Sequence, residues 1–407
     1  MSSGNLSSDF SVFKIEPIPI NMVKRLHYID WLRVMAFGTL ILFHCAVPFV
    51  EHYTWEINNK ETSPWITRVI WWLHQWRLPL LFFIAGVGVR FSLRKRSIPA
   101  FIGERFVRLF IPLAFAIFFI TPFQVYFEWL QKGRIQERFL DFYPTVYDIV
   151  PYPDGAFTWS HMWFVAYLFV FTILLLPIFS MSKVKWFDRL KPFFNALFKS
   201  PIAHLALALP FVQYFFLLYI DWPEQGSLIN DWYVFVSSIT FYLFGYVLGN
   251  LETFWQTCLK YRKFFVRIAL VLAVILIWKY FWNWEYNKPQ EQEQIYAFGL
   301  MNGFHIWTII LASIGYTMKY LNFENKYLSY LNTAVYPFYI MHQAVIVASG
   351  YYILQWELPI IVKLILLILI CLGAIWVLYH YIIRNTMLTR VLFGMKWKKK
   401  KLGSPVP

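Results

Sequence analysis

Charged residues make up only 14% of this 407-residue chain, against roughly 25% in a soluble globular protein. The deficit runs along nearly the whole length, which argues against a string of soluble domains. Cysteine is scarce as well. Cys45, Cys258 and Cys371 are dispersed, and each lies in or beside an apolar run. An odd, scattered set excludes a disulfide framework and offers no metal-ligand spacing, so no metal is expected. A cleavable leader is not visible either. Residues 1–28 are largely polar, and the first apolar run is full length without a small-residue cleavage site, so it reads as a signal anchor. There is no internal repeat of the kind that marks many transporters.

What the chain has in abundance is apolar and aromatic surface. Hydrophobic residues are 59% and aromatics 22%, with many Trp and Tyr flanking the apolar runs, as interfacial belts do. A span needs about 20 mostly apolar residues. Such runs fall near 29–50, 66–91, 106–127, 162–181, 202–220, 231–250, 264–283, 298–318, 332–354 and 358–382. The expected fold is an all-α polytopic integral membrane bundle of about ten transmembrane helices.

Loop charge orients this map. The first loop carries Glu51, Glu56 and Glu61 against Lys60, and the second Arg94, Lys95, Arg96 and Arg105 against Glu104. The fourth holds Lys183, Lys185, Arg189, Lys191 and Lys199, the fifth Asp221, Glu224 and Asp231, and the seventh Glu285, Glu291 and Glu293. Odd loops are acidic and even loops basic, so the positive-inside rule puts both termini in the cytoplasm. The same rule accounts for the net charge of +15 without a nucleic-acid partner. The chain divides into a cytoplasmic tail over 1–28, a membrane domain over 29–383 and a basic cytoplasmic tail over 384–407. The run Lys398 to Lys401 in that last tail suits anionic lipid.

Ionisable groups inside a membrane are costly, and each is a functional candidate. The first helix holds Asp30, Arg33 and His44. Asp30 and Arg33 are i, i+3 and can pair. His44 follows Arg33 by eleven residues, about three turns and about 16 Å along one face, in the outer half of the bilayer. It reads either as a reactive group or as a hydrogen bond to a neighbouring helix. The second helix holds His74 and Arg77, again i, i+3, at a depth like that of His44. Arg105 and Arg108 share a face at the start of the third helix, where their forks suit the oxygens of a phosphate. Arg94, Lys95 and Arg96 read as ordinary positive-inside charge. His161, His305 and His342 lie towards the outer side. Singly each reads as a packed structural histidine, but together they point to a cavity lined by polar groups.

These residues resemble a known family. Tyr28-Ile29-Asp30-Trp31-Leu32-Arg33 leading to Phe43-His44 is similar to the first-helix signature of the membrane acyltransferase-3 family. Arg105-Phe106-Val107-Arg108 resembles its Arg-x-x-Arg motif. The stretch from His74 to Gly86, His161-Met162-Trp163-Phe164, and Tyr336-Pro337-Phe338-Tyr339-Ile340-Met341-His342 resemble its later motifs in order. Val34 stands where many members have Gly. The nearest branch in appearance adds succinyl groups to periplasmic glucans.

The resemblance implies a bacterial inner-membrane O-acyltransferase with cytoplasmic acyl-CoA (acetyl-CoA or succinyl-CoA) as donor. The implied acceptor is an extracytoplasmic polysaccharide, glucan or glycolipid. Arg105 and Arg108, with Arg33, would hold the CoA phosphates, and the pantetheine arm would climb towards His44. His44 would act as general base or carry the acyl group. His74 or Arg77 would stabilise the oxyanion, and Asp30 would fix Arg33. His161, His305 and His342 would face the acceptor. A saccharide transporter or flippase explains the polar groups equally well, but not a histidine three turns above an arginine with a basic pair at the inner entrance.

Overall fold

The computed structural model describes residues 26–94, 96–181, 186–222, 224–282 and 291–396. Lys95, Lys183, Lys185, Glu285, the Lys398–Lys401 run, residues 1–25 of the first tail and 397–407 of the last lie outside the described residues. Among those described, the chain is helical throughout and has no named strand, only an isolated bridge between Pro151 and Phe157.

Among the described residues, seven helices are long and apolar enough to cross a membrane. They are α1 (His27–Phe49), α2 (Pro64–Leu93), α3 (Ile98–Gln131), α5 (Pro201–Leu218), α8 (Arg262–Trp282), α9 (Gln292–Tyr320) and α11 (Ile360–Ile383). The remaining three of the ten expected segments are helical but differ in kind. The first, α4 (Trp163–Leu174), is short, because the chain breaks at Leu175 before a separate helix Leu176–Met181. The second, α6 (Trp232–Leu248), turns by 102° into α7 (Glu252–Lys260), and the pair makes an eighth crossing only if counted together. The third, α10 (Lys326–Ile353), is long but carries the polar Asn332, His342 and Gln343, of which the last two are buried. Apolar runs in sequence could not separate these cases.

The centre of the bundle is aromatic. Trp307, Tyr28, Tyr167, Tyr242, Phe82, Phe83 and Phe171 are almost wholly buried, and Phe211 stacks on Phe241 with centroids 3.8 Å apart. Lipid is as apolar as these side chains, so helices gain by fitting closely rather than by leaving it. The closest fit is between α2 and α6. A Cβ on Gly86 would lie 1.9 Å from the Tyr242 carbonyl oxygen, and one on Gly245 would lie 1.9 Å from that of Phe83. Glycine at both positions lets the two backbones touch.

Two features position the site. Helix α1 packs against α2, α9, α10 and α11, so its polar face is enclosed. The loop 50–63 folds back over its C-terminal end. Asn59 N–H donates to the Pro48 carbonyl and Ser63 N–H to that of Phe49, both at 2.9 Å. Ile57 is fully buried against Gly350. The buried Lys363 ammonium on α11 donates to Asn59 Oδ1 at 2.9 Å and to the Leu354 carbonyl at 3.0 Å. This loop is therefore a fixed lid, and it carries Trp55 and Glu56.

Gly86→Ala or Gly245→Ala should force α2 and α6 apart, an overpacking cost of about 1–3 kcal/mol. Thermal unfolding in detergent should show a clear drop for both. Gly38→Ala, on α1 with nothing within 4 Å of the added carbon, should leave the midpoint unchanged.

Candidate active site

The N-terminal end of α1 opens on a cavity of about 970 Å³, called inner after the side on which loop charge leads one to expect it. Asp30 and Arg33 form the expected i, i+3 pair at 3.5 Å. Arg33 Nη1 also donates to Asn332 Oδ1 of α10 at 3.0 Å. Arg94, Arg96, Glu104, Arg105 and Arg108 line the same space. Glu104 pairs with Arg96 at 3.3 Å and Arg108 at 3.5 Å. A π-helical turn, Phe106–Phe110, begins immediately after Arg105, and its wider winding is a frequent mark of functional segments. Arg105 lies over the Phe101 ring at 4.9 Å, and its buried Nε has no hydrogen-bond partner among the described residues. Lys396 joins the lining from the far end of the chain, where the Gly394 carbonyl accepts from Arg108 Nε at 3.2 Å. Five arginines and a lysine against two carboxylates suit a polyanion. Arg94 and Arg96, which sequence reading assigned to ordinary loop charge, belong to this lining.

The C-terminal end of α1 opens on a second cavity, about 650 Å³ in volume, called outer by the same expectation. His44 lines it, with Trp55 nearly parallel to its ring at 6.0 Å. His342 of α10 holds His44 from behind, with 3.0 Å between His342 Nε2 and His44 Nδ1. His342 Nδ1 lies 2.5 Å from the Tyr339 carbonyl oxygen, which can only accept. In neutral rings that assigns the protons in turn. Nδ1 of His342 carries hydrogen, so its Nε2 accepts, and His44 donates from Nδ1. The remaining nitrogen of His44, Nε2, then bears the lone pair that a general base requires.

The two cavities share no lining residue. Between them lies an aromatic layer. Phe37 and Phe164 line the inner cavity, and both rings make T-shaped contacts with Tyr339, at 5.6 and 6.1 Å. On its other side Tyr339 lies 5.6 Å from His342 and 5.5 Å from His161. Its hydroxyl donates to the His161 carbonyl.

His74 and Arg77 line the outer cavity as a unit. Arg77 Nη1 lies 3.2 Å from His74 Nδ1, and His74 Nε2 lies 2.7 Å from Glu224 Oε2. Both ring nitrogens of His74 are thus engaged, and its geometry holds Arg77. The Arg77 guanidinium sits 3.3 Å over the Phe43 ring, which packs edge-on to His44 at 5.2 Å. Burial works against the Glu224 carboxylate, but His74 and Arg77 more than offset it and keep it below its ordinary range. His161 lines this cavity too, with Nε2 donating to the Ile340 carbonyl at 3.1 Å. His305 does not. Its Nδ1 meets the Ala269 carbonyl at 3.1 Å and its Nε2 accepts from Trp72 at 3.0 Å, so it is a satisfied packing residue away from both cavities.

Sequence reading assigned no site role to Asn332, Gln343, Glu224 or Glu56. The two glutamates had been counted only as loop charge. Glu56 Oε1 accepts from Ser160 Oγ at 2.8 Å and Gln343 Nε2 at 2.9 Å. Burial raises its pKa to about 7, with the Ser160 and Gln343 bonds lowering it in part. A carboxyl raised on folding favours the folded state at low pH, and that contribution is lost as pH rises from the ordinary value of 4.5 through about 7. Thermal stability of the wild type should therefore fall between pH 5 and 8 by a component that Glu56→Gln removes, at most about 3 kcal/mol. Parallel pH profiles for the two proteins would refute it.

Comparison with known proteins identifies the family. The family model for the acyltransferase domain (Acyl_transf_3) matches residues 26–380. Glucans biosynthesis protein C from two strains of Escherichia coli is 24% identical over 352 residues, 83% of this chain and 86% of the relative. No solved structure matches. The match runs from α1 into α11 and takes in the lining of both cavities except Lys396, and so the chain belongs to the acyltransferase-3 family and is a membrane-bound O-acyltransferase.

Proposed function

We propose that this enzyme moves an acetyl or succinyl group from cytoplasmic acyl-CoA to a hydroxyl of an extracytoplasmic glucan, polysaccharide or glycolipid. In this reading the chain crosses a bacterial inner membrane ten times, with both termini in the cytoplasm. The relative's name points to glucan metabolism, and the loop charges support the orientation. One observation carries the reading. A single helix bears an arginine in a basic cavity at one end and a histidine with its Nε2 lone pair in a separate cavity at the other.

Arg33, Arg105 and Arg108, with Arg94, Arg96 and Lys396, hold the CoA phosphates. The pantetheine arm is long and uncharged, and it passes the layer of Phe37, Phe164 and Tyr339 to bring the thioester beside His44. The acceptor hydroxyl approaches from the outer cavity. Its oxygen attacks the thioester carbonyl carbon while His44 Nε2 takes the proton. Arg77, held by His74, faces the charge that develops on the carbonyl oxygen. The C–S bond then breaks, and His44 returns the proton to the CoA sulfur, giving ester and free thiol. An acyl-histidine relay would use the same nitrogen. His342 keeps the proton on Nδ1 throughout and leaves Nε2 unprotonated.

His44→Ala should abolish transfer from acyl-CoA to the cell-surface glycan, read by mass spectrometry, while the protein remains inserted and is still stabilised by CoA in a thermal shift. Normal acylation by this variant would end the mechanism. Arg105→Ala with Arg108→Ala should raise the donor KM by a factor of ten or more. An unchanged donor KM would return those two to ordinary interfacial charge.

A further inference from the structure

The outer cavity differs from the inner one in the character of its polar groups. Its carboxyl groups are Glu56, Glu128 and Glu224 against the cations Arg77 and Lys132, and its walls include Tyr53, Trp55, Trp71, Trp159 and Trp163. Carboxylates repel the phosphates of a donor and accept hydrogen bonds from hydroxyls. Flat aromatic rings cover the C–H faces of a sugar. An apolar pocket with a few convergent polar groups is how small polar ligands are oriented.

The three carboxylates are not equivalent. Glu128 is engaged by Lys132 at 2.5 Å and by the Tyr152 hydroxyl at 2.7 Å. Glu224 is engaged by His74 at 2.7 Å. Glu56 is held through Oε1 only, by Ser160 and Gln343. Its Oε2 is buried and has no hydrogen-bond partner among the described residues. The hydroxyl of Ser160 is also within 2.7 Å of Gln124 Oε1, and its single proton serves one acceptor at a time. The arrangement grips one oxygen of Glu56 and leaves the other waiting. In the ionised form, which predominates above pH 7, Oε2 is a buried acceptor without a donor, and that is costly unless a ligand supplies one.

The location is specific. Trp55, next in the chain, stacks on His44. Gln343, which holds Glu56, follows His342, which holds His44. The loop that carries Glu56 is fixed by Lys363 and Asn59. Glu56 and His44 are therefore positioned by the same two elements and line one cavity.

We propose that Glu56 is an acceptor-recognition residue, whose Oε2 takes a hydrogen bond from a sugar hydroxyl so that another hydroxyl of the same saccharide stands at His44. This rests on the acyl-transfer reading above and names the group that selects its acceptor. Such a contact lets the enzyme choose among hydroxyls, because a site built to receive a hydroxyl rejects an analogue that lacks it.

The test uses Glu56→Gln, which keeps an oxygen for Ser160 and Gln343 and replaces the other acceptor by a donor. Binding is measured without any donor, from the tryptophan fluorescence of the full-length protein titrated with sophorose, laminaribiose, cellobiose and gentiobiose. Transfer kinetics are measured separately for each substrate. The disaccharide that binds best to wild type should bind Glu56→Gln at least tenfold more weakly. The acceptor KM should rise in parallel, while the donor KM stays within twofold. Glu56→Asp, which withdraws the carboxylate by one methylene, should fall between the two. Thermal stabilisation by CoA confirms that each variant is folded. An unchanged disaccharide affinity and acceptor KM in Glu56→Gln would overturn the proposal, leaving Glu56 as a brace for Ser160 and Gln343. Equal losses for donor and acceptor would overturn it as well. If disaccharide binding depends on Glu56 but the wild type transfers nothing from acyl-CoA, the recognition site stands and the acyl-transfer reading falls.

Discussion

The hydrogen bond from His44 Nδ1 to His342 Nε2 fixes which nitrogen of His44 is basic, and the surrounding architecture serves to hold it. His342 is itself fixed by the Tyr339 carbonyl one turn away. Both histidines lie in helices where an unpartnered polar group is expensive, so each nitrogen turned inwards has a partner. Only then does the last nitrogen acquire a defined role. Helix α10 contributes to both ends of this arrangement, through His342 beside His44 and Asn332 beside Arg33. One helix pair, α1 with α10, therefore sets the spacing between a basic cavity and a base.

The aromatic layer between the cavities gives this spacing a purpose. A thioester survives best away from water, and an active site that excludes water also strengthens its electrostatics. In the proposed reaction Phe37, Phe164 and Tyr339 would bar a charged headgroup and pass a thin, uncharged arm. The layer would then also separate the two ligands by charge. Arginines on one side suit a polyanion, and carboxyl groups with tryptophans on the other suit a neutral sugar.

Much of this was legible in the sequence, for physical reasons. Asp30, Arg33 and His44 lie on one helix, where spacing alone determines the face. Arg105 and Arg108 are equally local. The family signature could be recognised because these costly groups are confined to fixed intervals. What sequence did not reveal is pairing between distant segments. His342 stood out as a histidine, but its bond to His44 joins residues 298 apart. Glu56 and Glu224 looked like interfacial charge, because a folded-back loop has no periodicity that betrays it. His305 was grouped with the others by depth, yet Trp72 and Ala269 satisfy it elsewhere. The number of spans was likewise blurred, since an apolar run continues across the break at Leu175 and the bend after Leu248.

The central claim is that an acyl group taken from CoA on the arginine side is delivered on the histidine side. Reconstitution in a single orientation tests it directly. A gluco-oligosaccharide is sealed with the face that exposes the outer cavity, and radiolabelled acyl-CoA is supplied only to the opposite face. The account predicts label on the sealed oligosaccharide, dependent on the enzyme and without passage of CoA itself. Label appearing only on oligosaccharide that shares a compartment with the acyl-CoA would contradict it.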